Sequence, residues 1–154
     1  MMRNFTTTPA GASDEEFLRT LFIDVRRDDF ELNGLQPEQI GPLLSMQFAA
    51  QMRSYSAAYP QADHRIIRWS DEPVGRILVS KSPGAAHIVD ISILRGFRGR
   101  GIGRALIEDL KSTAEVVSLN VFKGNVGAIR LYERCGFRFV SDDGVYYGME
   151  FNNA

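Results

Sequence analysis

The residues best suited to chemistry stand in a glycine- and arginine-rich stretch near the middle of the chain. Residues 95–104 read RGFRGRGIGR, with arginine at four of the ten positions. Glycine lets a backbone approach an anion closely, and the first amides of a helix lie unpaired at the positive end of its dipole. An apolar strand pattern precedes the stretch and a helical pattern follows it. The segment therefore predicts a turn that holds phosphate at a helix N-terminus.

Two common glycine motifs do not fit this turn. The Walker A motif needs Gly-Lys followed by Ser or Thr, and that triplet does not occur in the chain. The dinucleotide motif G-x-G-x-x-G needs a small residue where Arg104 stands if it begins at Gly99, or where Leu106 stands if it begins at Gly101. Taken alone, the turn also fits a simple packing role between a strand and a helix.

A second pattern downstream changes the interpretation. Residues 98–103 have the form R-x-x-G-x-G and follow the apolar strand pattern, while residues 125–137 have the form N-x-x-A-x-x-L-Y-x-x-x-G-F. With both motifs at this separation, the chain resembles the GCN5-related N-acetyltransferase (GNAT) superfamily over residues 74–140. The order of the predicted elements extends the resemblance to the rest of the chain.

The resemblance implies that acetyl-CoA binds as the acetyl donor. Members of the superfamily hold the pyrophosphate of the cofactor on the backbone of the first motif, which matches Arg98, Gly99, Arg100, Gly101, Ile102, Gly103 and Arg104. The preceding strand would pair with the pantetheine arm and place Ile91 and Ile93 beside the thioester, whose oxygen needs an amide donor such as that of Ile93. Asn125 matches a residue that contacts the cofactor, and Tyr132 matches the tyrosine that protonates the leaving thiolate.

The base that would deprotonate the attacking amine is less well defined. Asp90 stands in an apolar strand, and burying a carboxylate there needs either a structural partner or a catalytic reason. His87, eleven residues before Arg98, matches the place where histone-acetylating members have a glutamate base, and histidine titrates near neutral pH. Asp28 and Glu31 are predicted to bind the acceptor and are further candidates, and a mechanism without a dedicated base also stays open.

The elements that must position these residues follow from periodicity. The predicted order is a strand at residues 2–8, two helices, three strands, and then helix, strand, helix and two strands. The first helix is predicted to have Ser13 as its N-cap with Glu16 in a capping box, and to end at residues 28–31. The second would begin near Pro37.

Together with the resemblance, this order predicts an α/β (α+β) fold with a mixed, mostly antiparallel seven-stranded sheet and helices on both faces. Residues 14–60 would line the acceptor side, and their acidic residues, Asp24 among them, would favour a cationic amine.

Composition narrows the class of protein further. A chain of 154 residues predicts a single domain, residues 1–154, and a net charge of −1 argues against nucleic acid as a partner. With one cysteine and two histidines no metal site is expected, and Cys135 is expected to pack rather than react. The lack of a membrane-spanning run or an apolar signal sequence predicts a cytoplasmic protein without a membrane partner.

These observations predict an acetyl-CoA-dependent N-acetyltransferase that acts on a small-molecule or peptide amine. The resemblance also allows a homodimer. Two alternatives are a non-catalytic acyl-CoA-binding sensor or interaction module, and a regulator that binds another phosphate ligand at the glycine turn.

Overall fold

The computed structural model describes residues 3–32 and 34–153, apart from the side chains of residues 27–32 and 37. Within these residues the helices are α1 (Glu15–Leu32), α2 (Pro37–Ala58), α3 (Ile102–Thr113) and α4 (Val126–Arg134). The strands are β1 (Phe5–Pro9), β2 (Asp63–Trp69), β3 (Glu72–Ser82), β4 (Ala85–Ile93), β5 (Val116–Phe122), β6 (Arg138–Asp142) and β7 (Tyr146–Asn152). Two short 3₁₀ turns lie at Ala12–Asp14 and Arg95–Phe97.

The strands form one seven-stranded sheet in the order β1-β2-β3-β4-β5-β7-β6. The pairs β1–β2, β5–β7 and β6–β7 are antiparallel, whereas β4 and β5 are parallel. Two-residue turns at positions 70–71 and 83–84 join β2 to β3 and β3 to β4, and connections this short join only antiparallel neighbours. The predicted mixed, mostly antiparallel sheet is therefore confirmed.

The chain forms two compact units, one of Met1–Ile77 with Ile91–Arg98 and the other of Leu78–Asp90 with Gly99–Ala154. In the first unit, apolar side chains of α1, α2 and β2 form a buried cluster of Leu18, Phe22, Ile40, Leu44, Phe48 and Ile66. In the second unit, α3 buries the apolar face that its 3.6-residue period predicts, made of Ile102, Leu106, Ile107 and Leu110.

The N-terminal elements differ from the prediction at their ends. Ser13 does not cap α1, since a 3₁₀ turn precedes the helix and the Asp14 carboxylate accepts a hydrogen bond from the Gly11 amide at 2.8 Å. The helix also continues through the acidic stretch to Leu32. Acidic residues at a helix C-terminus cost only about 0.3–1 kcal/mol each. Burial of Leu18 and Leu21 on the same helix outweighs that cost.

The C-terminus of α4 holds the ring of Tyr132 in place. Gly136 has φ +90°, its amide donates to the Glu133 carbonyl at 3.0 Å, and the Phe137 amide donates to the Tyr132 carbonyl at 3.0 Å. This is a Schellman motif, in which the residue after the glycine packs back onto the last helical turn. The rings of Tyr132 and Phe137 lie 5.9 Å apart, and those of Phe137 and Phe151 lie 6.1 Å apart. The residues of the pattern L-Y-x-x-x-G-F thus pack together and orient the tyrosine ring.

Replacing the glycine of this motif should destabilise the protein. We expect Gly136→Ala to lower the free energy of unfolding by about 1–2 kcal/mol, because a left-handed backbone strains any residue with a Cβ. Its Cβ would also lie 3.3 Å from the Phe151 ring, whereas a Cβ on Gly144, at φ +96°, meets nothing within 4 Å. Gly144→Ala therefore reports backbone strain alone in urea denaturation. Equal losses in the two variants would contradict a contribution from the ring contact.

Candidate active site

The glycine-rich turn enters α3 through left-handed backbone. Gly101 is the N-cap of the helix at φ 80° and ψ 9°, and Gly99 has φ +78°. No side chain caps this end, and the amide of Ala105 donates to the Gly101 carbonyl at 3.0 Å to begin the helical ladder. The amides of residues 102–104 consequently have no acceptor in the part of the chain that the structure describes. They form a row of donors at the positive end of the helix dipole.

The surroundings of this helix end suit an anion. Arg100 and Arg104 are exposed beside the glycines. A Cβ placed on Gly99 or Gly101 would meet nothing within 4 Å, so the space over the turn is open. Unpaired amides, a helix dipole and nearby guanidinium groups all attract negative charge. The geometry fits a phosphate group.

The parallel pairing of β4 and β5 is short. It covers Ala85–Ile88 against Val116–Leu119, although both strands continue beyond these positions. In the second compact unit, Val89 and Asp90 follow in β4 outside this register. Where two strands stop pairing, their backbone groups become available to another extended molecule.

Tyr132 and Asp90 lie within electrostatic range of one another. Burial is the largest cause that raises the pKa of Tyr132 to about 12, and smaller electrostatic contributions from Asp90 and Cys135 are part of that rise. The phenol therefore keeps its proton throughout the neutral range. Two of the three residues predicted to be catalytic thus influence one another electrostatically.

His87, the third, has a different environment. Its Nδ1 lies 2.8 Å from the hydroxyl oxygen of Ser118, its register partner on β5. Burial lowers the pKa of His87, which leaves the imidazole neutral at neutral pH. Side chains alternate along a strand, so His87 and Asp90, three residues apart, project to opposite faces of β4.

The remaining predicted residues are placed as follows. Asn125 is the N-cap of α4, where its Oδ1 accepts a hydrogen bond from the Ala128 amide at 3.2 Å. Ile91 and Ile93 are half-buried in the last part of β4. The side chains of Asp28 and Glu31 lie outside the described part of the chain, so their assignment stays a prediction.

Two residues have roles that sequence reasoning missed. The Asp24 carboxylate accepts the backbone amide of Arg95 at 2.9 Å and lies 3.5 Å from its guanidinium Nε, so its charge is balanced within the protein and it holds the start of the glycine-rich turn. Asp24 thus has a structural role, and its part in attracting the amine stays a prediction. Arg98 donates from Nε to the Ile93 carbonyl at 3.1 Å. No sequence pattern indicates the Asp24 pairing, whose partners are 71 residues apart.

Cys135 is buried, and desolvation raises the pKa of its thiol. Within the described ranges, His, Cys, Asp and Glu side chains do not gather in groups of three or more that could hold a metal ion. Nor does any helix in those ranges combine the length and the apolar character needed to cross a membrane.

A sequence model described as the acetyltransferase (GNAT) family matches residues 24–137. The match covers most of the chain, and the chain belongs to this family. Peptidyl-lysine N-acetyltransferase YjaB of Escherichia coli is 35% identical over 68 residues, which are 44% of this chain and 44% of that protein. The chain thus spans less than half the length of the curated relatives it matches.

Solved structures agree in fold. PaiA N-acetyltransferase from Thermoplasma acidophilum, solved in complex with coenzyme A, has a TM-score of 0.74 at 14% identity, covering 97% of this chain and 99% of that one. An acetyltransferase from Thermus thermophilus has a TM-score of 0.69 at 19% identity and covers 97% of both chains. At these identities the likeness establishes the fold.

The environment of His87 predicts a pH dependence of stability. Below about pH 6.5, the ordinary pKa of histidine, the unfolded chain takes up a proton that folded His87 resists. The free energy of unfolding should therefore fall as the pH drops through and below 6.5. His87→Asn offers the Ser118 hydroxyl a polar partner without this titration and should show a smaller loss. Urea denaturation between pH 5 and 8 checks this, and equal pH dependence in both proteins would contradict it.

Proposed function

We propose that this chain transfers the acetyl group of acetyl-CoA to a primary amine by direct attack within a ternary complex. The observation that carries the proposal is the row of unpaired amides at residues 102–104, behind two left-handed glycines in the motif that family members use for the cofactor. Membership of the family and the coenzyme A complex of the PaiA neighbour support it.

The turn from Arg98 to Arg104 would bind the pyrophosphate, mainly through backbone amides. The short β4–β5 register supports a pantetheine arm lying along β4, with Ile91 and Ile93 near the thioester. The Asn125 side-chain oxygen accepts the bond of the helix cap, and the NH₂ group of the same side chain would be a donor toward the cofactor. This division makes Asn125 both a structural and a binding residue.

The reaction needs three groups besides the reactants. The amine nitrogen forms a bond to the thioester carbon, and the carbonyl oxygen gains negative charge that the Ile93 amide would stabilise. The C–S bond then breaks, and Tyr132 donates its proton to the departing thiolate. Asp90 would accept the proton released by the amine, directly or through water, and transfer of that proton to the Tyr132 phenolate would restore the starting protonation state. We prefer Asp90 to His87 as the base because its charge acts on Tyr132.

The acceptor is a small-molecule or peptide amine. The YjaB relative is named as a peptidyl-lysine N-acetyltransferase, which makes a lysine side chain one class to test. Asp28 and Glu31 stay our candidates for attracting a cationic amine. A screen of amines, amino acids and lysine peptides for thiol release from acetyl-CoA tests the function. Binding of acetyl-CoA without turnover on any amine would favour the sensor alternative, and displacement of CoA by ATP would favour the nucleotide regulator.

A charge placed on the turn should weaken cofactor binding. Gly101→Asp puts a carboxylate beside the proposed phosphate position, and we expect at least a tenfold higher Kd for CoA, about 1.4 kcal/mol. Gly101→Asn is the matched control, since asparagine and aspartate both tolerate left-handed backbone and differ here in charge. Calorimetric titration of both variants separates charge from strain. Equal affinities in the two folded variants would argue against a phosphate at this turn.

Removing the phenol oxygen should slow catalysis without loss of binding. Tyr132→Phe keeps the ring contact with Phe137, and we expect kcat to fall about 100-fold, the lower end for a general acid. A thiol has a pKa near 8.5. A phenol of pKa about 12 therefore gives up its proton reluctantly, which favours the lower end. The acetyl-CoA Kd should hardly change.

Tyr147→Phe, which removes a hydroxyl from β7, serves as the control and should keep wild-type kcat. Retention of more than half of kcat by Tyr132→Phe, with chemistry rate-limiting, would identify water as the proton source.

A further inference from the structure

A glycine inside β3 is required by space rather than by backbone conformation. Gly75 is buried and does not belong to the glycines with positive φ. A Cβ on Gly75 would overlap the Ser92 carbonyl oxygen and would lie 3.2 Å from the Ile93 Cα and 3.3 Å from the Ile67 Cδ1. Glycine weakens a strand interior, and its presence there often marks a close approach of another backbone. Here the backbone at the end of β4 occupies the volume that a side chain would fill.

This close approach sets the direction of one peptide group. In a planar trans peptide the carbonyl and the N–H point in opposite directions. The Ser92 oxygen is the nearest atom to the vacant Cβ position of Gly75, so the Ile93 N–H points away from β3. The Leu94 amide donates to the Val74 carbonyl at 2.8 Å and holds the following residue to β3.

The peptide group that follows Ile93 is also held in place. Its carbonyl accepts the hydrogen bond from Arg98 Nε at 3.1 Å. The peptide before Ile93 is therefore positioned by the space at Gly75, and the peptide after it by a guanidinium group. The space at Gly75 and the Arg98 hydrogen bond therefore both position Ile93, whose amide would donate to the thioester carbonyl.

We propose that Gly75 is a positioning residue for acetyl transfer: its missing side chain lets the Ser92–Ile93 peptide lie so that the Ile93 N–H faces the acetyl carbonyl. The inference rests on the proposed function. A methyl group at position 75 would push this peptide aside and misdirect the donor. The substitution should weaken the binding of acetyl-CoA but not of free CoA, because free CoA has no thioester carbonyl to accept the hydrogen bond.

Gly75→Ala tests this in the full-length protein, without an amine acceptor. We expect its Kd for CoA to match the wild type and its Kd for acetyl-CoA to rise about fivefold, the loss of one hydrogen bond. Infrared spectra with ¹³C-labelled acetyl-CoA should show a lowered carbonyl stretch on the wild-type protein and not on the variant. Val74→Ala is the matched control, since it truncates a fully buried neighbour, loses stability through a cavity and leaves the peptide in place.

The outcomes separate this inference from the function on which it rests. A folded Gly75→Ala that keeps both the acetyl-CoA affinity and the lowered stretch overturns the role of Gly75 alone. If Gly75→Ala fails to fold, the inference is tested instead by the NMR chemical shift of the Ile93 amide proton in the ¹⁵N-labelled wild-type protein. A downfield shift with acetyl-CoA but not with CoA supports the inference, and equal shifts overturn it. A wild-type protein that binds neither ligand overturns the proposed function together with the inference.

Discussion

A helix cannot satisfy its own first amides, and this chain leaves that requirement unmet at the start of α3. Left-handed backbone at Gly99 and Gly101 turns the chain sharply into the helix, and no side chain caps it. Capping by Ser, Thr, Asp or Asn typically stabilises a helix by about 1 kcal/mol. The chain forgoes that stabilisation at the place where an anion would supply the missing acceptors. The proposed cofactor site is thus a consequence of an incomplete helix end.

The apolar environment around α4 controls the chemistry of its tyrosine. The Schellman motif at Gly136 brings the Phe137 ring against Tyr132, and burial then holds the pKa of the phenol near 12. A residue proposed to deliver a proton at neutral pH has first to retain it. Burial is the main cause of that retention, the charge of Asp90 adds to it, and Asp90 is the group that we propose takes up the proton of the amine.

Polar contacts hold residues 95–98, which follow β4 in the first compact unit. Arg98 bonds back to Ile93, and Asp24 of α1 accepts the amide of Arg95. Trp69 and Phe97 add a ring contact with centroids 6.3 Å apart. A loop that binds through its backbone needs a defined conformation, because the amides have no side-chain freedom with which to adjust. These contacts define the conformation of residues 95–98, the part of the loop that belongs to the first compact unit.

The sequence by itself determined the order of the strands and helices, the glycine-rich turn before α3 and the family. Those signals are local: glycines favour a tight turn, and periodicity shows which face of a helix is apolar. Only the tertiary structure placed His87 beside Ser118, paired Asp24 with Arg95 and extended α1 past its acidic stretch. It also showed why residue 75 is glycine. The partners in these contacts lie up to 71 residues apart. Their burial and pKa shifts come from packing that no local pattern encodes.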